Sequence, residues 1–279
     1  MTIILDSLTA SATLLIVILG LTLVLGVLEV INLAHAGFMA VGVYLTYALL
    51  GRGMDFFLAC VLAALGTAVL GFLVELAIVR RLYRRPIDTI LATWGIALVI
   101  VQVITLLAGS QDKSIAVPVH GAVGVLGTRY ATYQLVVVAI AVVLLLAIGL
   151  LVRLTEVGRT VRMVMSNEAM ARGMGINTTR VRQSTFVLGA GLAGFGGGLL
   201  GPLQEVSPQY ATTLLIPAFL AVLVAGPTVS GLIIGTVVLA TIETVFATYA
   251  DPTYSAVVLV LSAVVILRFA PQGLGVRRR

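Results

Sequence analysis

Apolar residues run along this chain in blocks of membrane length, separated by short polar or glycine- and proline-bearing stretches. A hydrocarbon core of about 30 Å takes about 20 mostly apolar residues per helix, and runs on that scale fall at about 8–30, 32–50, 55–79, 87–109, 132–152, 184–202, 211–225, 229–249 and 253–268. The pattern predicts an all-α, polytopic membrane protein with eight or nine transmembrane helices, organised as a single transmembrane domain over 1–279. The count turns on 211–225, which is short and interrupted by Pro217 and is either a full crossing or a broken, re-entrant piece. The stretch MTIILDSL carries no basic residue, and none occurs before Arg52. The first run is therefore expected to be a retained span rather than a cleaved signal peptide.

Composition narrows the function classes. Hydrophobic residues make up 60% of the 279 and charged residues 10%, where a soluble domain carries about 25% charge. The 29 glycines suit closely packed transmembrane helices. A net charge of +6 would suggest nucleic acid in a soluble protein, but here the basic residues are grouped, and no nucleic-acid partner is expected beside the lipid bilayer. Arg80, Arg81, Arg84 and Arg85 form one cluster; Arg153, Arg159, Arg162, Arg172, Arg180 and Arg182 a second; Arg268, Arg277, Arg278 and Arg279 a third. The positive-inside rule puts all three on the cytoplasmic face. Two runs lie between the first and second clusters and four between the second and third, so the parity closes with 211–225 counted as a crossing. Arg52, Lys113, Arg129 and the amino terminus then fall outside.

Catalytic chemistry has little to work with. Cys60 is the only cysteine, which leaves no intrachain disulfide and no multi-thiolate metal site. Lys113 is the only lysine and no glycine frame leads up to it, so a phosphate-wrapping loop is missing. His35 and His120 stand far apart and no H-E-x-x-H occurs. The expectation is a membrane protein with no catalytic residue, no metal and no cofactor of its own.

Two loops are long. The external one, about 110–131, holds Pro118 and several glycines with little charge, and is either a plain connection or a docking surface for an external protein. The cytoplasmic one, about 155–183, carries five arginines and two glutamates. From Thr160 to Met174 apolar positions recur at helical spacing; Gly173 and Gly175 can end that helix, and Asn177 can cap the next. An amphipathic helix with a methionine-rich face outside the bilayer fits either a groove on a partner or anionic lipid.

Polar residues within the apolar runs are candidates for a solute path, because such groups are costly at membrane depth. They are Asn32 and His35 near Glu29, then Thr93, Trp94 and Gln102, and Glu243 in mid-run. Glu75, five residues before Arg80, is expected to snorkel towards the first arginine cluster. In GAGLAGFGGGLLGP, Gly194 with Gly198 and Gly197 with Gly201 have G-x-x-x-G spacing, and together with Gly191 they point to close helix packing. Gly189, Gly191 and Gly194 formally match a dinucleotide fingerprint, but no strand precedes them.

The run NEAMARGMGINTTRVRQSTFVLGAGLAGFGGGLLGP resembles the cytoplasmic coupling loop and following helix of ABC-transporter permeases of the branched-chain amino-acid and urea type. INLAHAGFMAVGVYL, ATWGIALVIVQ and FAPQGL match the same family in order, so the resemblance spans nearly the whole chain. It implies a multi-pass permease of the bacterial inner membrane that pairs with a second, related permease chain. Two cytoplasmic ATPases would hydrolyse the ATP, and an extracytoplasmic binding protein would deliver the solute. Carried over, Glu168, Ala169, Ala171, Arg172, Gly175, Ile176 and Asn177, with Arg162 beside them, form the ATPase-coupling region. Glu168 stands seven residues before Gly175, one more than the family's pattern, and AGPTVSG, with Pro227, replaces its glycine-serine turn. Hydrophobic amino acids, urea and short amides all fit as cargo, with ATWG leaning towards urea and amides. The rival reading is a self-contained secondary transporter or channel using Glu243 and His35 as ion sites.

Overall fold

The structure is a computed structural model and describes residues 2–83, 85–125, 128–226, 228–250 and 254–275. Arg84, Pro227 and Arg277 to Arg279, named above, lie outside the described residues. Among the described residues the chain forms α1 (Thr2–Leu28), α2 (Ala34–Leu50), α3 (Phe56–Val74), α4 (Arg80–Leu82), α5 (Pro86–Ala108), α6 (Thr132–Leu154), α7 (Glu156–Ser166), α8 (Glu168–Gly173), α9 (Thr178–Leu200), α10 (Tyr210–Ala225), α11 (Val229–Tyr249) and α12 (Ser255–Phe269). A π turn, Glu75–Val79, joins α3 to α4 without a break. Six of these stretches are long and apolar enough to cross a membrane, and α2, α10 and α12 are shorter apolar helices. Each corresponds to one of the nine runs. The run with Pro217 is a continuous 16-residue helix, α10.

Helix starts follow local chemistry. Asp55 caps α3 by accepting from the Phe57 and Leu58 amides at 3.0 and 3.1 Å. Pro86 opens α5, where a missing N–H costs nothing. Thr228 caps α11 by accepting from the Gly231 amide at 3.0 Å.

Contacts group the chain into two units. Unit 1 comprises Met1–Ile18, Ala116–Leu144 and Thr213–Arg279. It contains two short antiparallel strands, β1 (Ala122–Val125) and β2 (Thr128–Ala131), in the loop that the sequence left without secondary structure. Tyr130 of β2 donates to Asp6 of α1 at 3.0 Å and shares a 2.9 Å hydrogen bond with Thr9. In the same unit the FAPQGL segment returns to α10: the Leu274 amide donates to the Val224 carbonyl at 2.8 Å and the Gly275 amide to that of Ala225 at 3.3 Å. Those bonds satisfy carbonyls that the end of α10 would otherwise leave open.

Unit 2 comprises Leu19–Ile115 and Leu145–Thr212. Here α9 packs against both α2 and α3. Glycine makes this possible: a methyl at Gly194 would overlap Thr67 of α3, one at Gly197 the Met39 carbonyl of α2, and one at Gly198 Thr46 of α2. Gly191 faces Ala68, where a methyl would sit at 3.4 Å, and a methyl at Gly201 would come within 2.9 Å of Val43 and Ile115. Gly42 of α2 in turn lies against the Gly194 backbone. Lys113 and Val206 form a two-bond bridge (3.0 and 2.8 Å), and the Lys113 ammonium stands 5.0 Å from the Tyr47 ring centre.

Candidate coupling loop and membrane-embedded polar groups

The segment between α6 and α9 is built from caps. Thr155 accepts from the Gly158 amide at 3.0 Å and starts α7. Arg162 on α7 donates back to the Val152 and Arg153 carbonyls at 2.6 and 3.3 Å, closing the end of α6. The single helix expected over Thr160 to Met174 is in fact two. Asn167 leaves helical geometry and accepts from the Met170 amide at 2.9 Å, so it ends α7 and caps α8. The end of α8 is a complete Schellman turn. Gly175 has φ +84°, its amide donates to the Arg172 carbonyl (3.0 Å), and the Ile176 amide donates to that of Ala171 (3.1 Å). Asn177 then caps α9, accepting from the Arg180 amide at 3.0 Å.

These caps fix the orientation of α8. Ala171 is buried beneath it, while Ala169, Met170, Arg172, Gly173 and Met174 are exposed. Glu168, the first residue of α8, receives the Arg172 guanidinium at 2.7 Å and the Arg182 guanidinium at 2.6 Å. A second Arg172 bond reaches the Thr178 hydroxyl at 3.3 Å. Partial burial pushes the Glu168 carboxyl pKa upwards, but hydrogen bonding from Thr178 and the Arg182 and Arg172 charges outweigh it and hold the pKa below the usual glutamate value. Glu168 is thus anionic at neutral pH, and its position at the start of a helix favours that charge. Glu168, Ala169, Arg172 and Gly173 line an open cleft of about 500 Å³.

Glu75 does not snorkel. It is fully buried in the π turn, where it accepts from Arg80 (Nε and Nη2 at 3.4 Å), Tyr83 Oη and Gln183 Nε2 (2.7 Å). Tyr83, Thr178 and Gln183 are the members of this region that the sequence did not single out, and Arg182 was named only within the second arginine cluster.

The membrane-embedded polar residues fall into separate groups. Between α1 and α2 the backbone breaks at Glu29, whose φ is +56°. There Asn32 Oδ1 accepts from the Ala34 amide at 3.2 Å and Thr93 Oγ1 of α5 from the Leu33 amide at 3.2 Å. Asn32, His35 and Thr93 are all buried. Gly20 on α1 gives His35 its space, since a methyl there would lie 3.0 Å from the imidazole. Trp94 and Gln102 face elsewhere, lining a cleft of about 480 Å³ with Gln209 and Thr212. Glu243 lies half-buried in the middle of α11, in unit 1.

A multi-pass helical protein of a cell membrane, with a capped and exposed helix pair between two of its spans, has the architecture of a permease. The family model described as "Branched-chain amino acid transport system / permease component" matches residues 3–268. The chain belongs to that family of ABC-transporter permeases. It is 27% identical to the high-affinity branched-chain amino acid transport system permease protein LivH of Escherichia coli K12, over 96% of this chain and 93% of the relative. It is 28% identical to the corresponding LivM protein of Salmonella typhimurium, over 78% of this chain and 57% of that one. Among solved structures, PsaBC from Streptococcus pneumoniae in complex with Fab shares the fold at a TM-score of 0.50 and 14% identity, over 98% of this chain and 93% of that chain.

Proposed function

We propose that this permease is one membrane subunit of an ATP-driven importer for branched-chain and other hydrophobic amino acids. A second, related permease completes the pathway, an extracytoplasmic binding protein supplies the solute, and two cytoplasmic ATPases consume the ATP. The names of the LivH and LivM relatives support amino acids over urea or short amides as cargo, and the likeness to both supports pairing of two permeases. The observation that carries the reading is α8. It is a short helix started by the Asn167 cap and closed by a Schellman turn, after which Asn177 caps α9, and it shows Met170 and Met174 outside the membrane spans. Exposed methionines suit insertion into a partner's groove, because the thioether adapts to the surface it meets.

The cleft of Trp94, Gln102, Gln209 and Thr212 is assigned to the solute path. Carboxamide and hydroxyl dipoles can pair with both ends of a zwitterion without holding either tightly, as passage requires. Asn32, His35 and Thr93 are assigned to the hinge where α1 meets α2. Purification of the tagged chain from its native membranes should yield a complex with a second permease and an ATPase at about one copy per permease. A chain that purifies without an ATPase and transports L-leucine when reconstituted alone contradicts the reading and supports a self-contained transporter.

A further inference from the structure

A fully buried carboxylate and a half-buried one, on different helices, are tied to neighbouring residues of α9. Glu75, in the π turn below α3, accepts from Gln183 at 2.7 Å. Glu168, on α8, accepts from Arg182 at 2.6 Å. The two clusters also meet through Tyr83, whose hydroxyl bonds Glu75 and whose ring lies 5.0 Å from the Arg182 guanidinium carbon. Arg182 is 14% exposed and Glu75 0%. A carboxylate as deeply buried as Glu75 persists only if its oxygens are paired. Tyr83, Gln183 and Arg80 meet that need from the α4 end and from α9, and only while those segments hold their present places. The π turn itself holds one residue per turn more than an α-helix, and such turns are common where helices serve a function.

We propose that Glu75 and Tyr83 are positioning residues that clamp the cytoplasmic end of α3 to the coupling helix, so that displacement of α8 by an ATPase moves α3 together with α9. The clamp rests on the importer reading above and extends it. Without it, α8 would act on α9 alone, through Glu168 and the Gly175–Asn177 turn. With it, one displacement reaches both helices of the tightly packed α3–α9 pair, which therefore move as a unit. The π turn is the element that can change register as this happens.

The test uses the whole transporter, purified with its partner permease and ATPases, in proteoliposomes with L-leucine as solute. Tyr83→Phe removes one hydroxyl and keeps the ring over Arg182; Glu75→Gln removes the charge. Both variants are expected to retain ATPase at the wild-type ratio, while ATP consumed per leucine imported rises about fivefold or more. A variant that only loosened the fold would lose bound ATPase and hydrolysis together and leave that ratio unchanged. Should Glu75→Gln fail to assemble, Tyr83→Phe carries the test alone. An unchanged ratio in Tyr83→Phe with ATPase bound overturns the clamp and leaves the importer reading standing. A wild-type chain that binds no ATPase overturns both.

Discussion

Gly197→Ala should lower the thermal unfolding midpoint of the purified permease by about 5–10 °C. The methyl would overlap the Met39 carbonyl, which is helix backbone and cannot move without shifting α2. Overpacking of this kind costs about 1–3 kcal/mol. Gly42→Ala, whose methyl meets the Gly194 backbone from the opposite helix, should act in the same direction. Gly95→Ala is the control. Nothing lies within 4 Å of a methyl there, and alanine's better helix propensity favours it by up to about 1 kcal/mol. Equal midpoints for Gly197→Ala and Gly95→Ala would mean that α2 and α9 do not approach as closely as the structure places them.

Glu168→Arg is expected to weaken ATPase association by at least about tenfold while membrane insertion stays normal. The substitution puts a third guanidinium where Arg172 and Arg182 now converge at 2.7 and 2.6 Å. Repulsion then replaces the bonds that hold α8 against α9. Adding Arg182→Glu to Glu168→Arg should restore part of the association by rebuilding one pair in reverse. The pair between Arg159 and Glu156 is exposed on α7, and Arg159→Glu should have little effect, because exposed ion pairs contribute little. Co-purified ATPase per permease measures all three. Wild-type association in Glu168→Arg would remove Glu168 from the docking region.

The membrane spans were legible because each rests on a local property, about 20 apolar residues in a row. The cap at Asn177 was legible for the same kind of reason, since it follows a glycine break and precedes a helical pattern. The division at Asn167 was less visible. The apolar spacing from Met163 to Met174 continues through it, although an asparagine directly before Glu168 is a recognisable helix start. The burial of Glu75 could not be read from the sequence. The residue's spacing to Arg80 suggested snorkelling towards the first arginine cluster, and Arg80 is indeed a partner, but Gln183, a further donor, comes from 108 residues away. Thr93 and Trp94 show the same limit at the candidate path. They are sequence neighbours, but one helical step turns Thr93 to the α1–α2 junction and Trp94 to the cleft with Gln209. The two strands at Ala122–Val125 and Thr128–Ala131 were hidden by their brevity and by the glycines around them.

The most direct measurement is uptake of radiolabelled L-leucine by proteoliposomes holding the chain with its second permease and ATPases, with binding protein supplied on the extracytoplasmic side. Uptake should require ATP on the cytoplasmic side, stop with vanadate, and disappear when the ATPases are omitted. Leucine uptake by the chain alone, driven by an ion gradient and indifferent to ATP, would contradict the assignment of α8 as the point where energy enters.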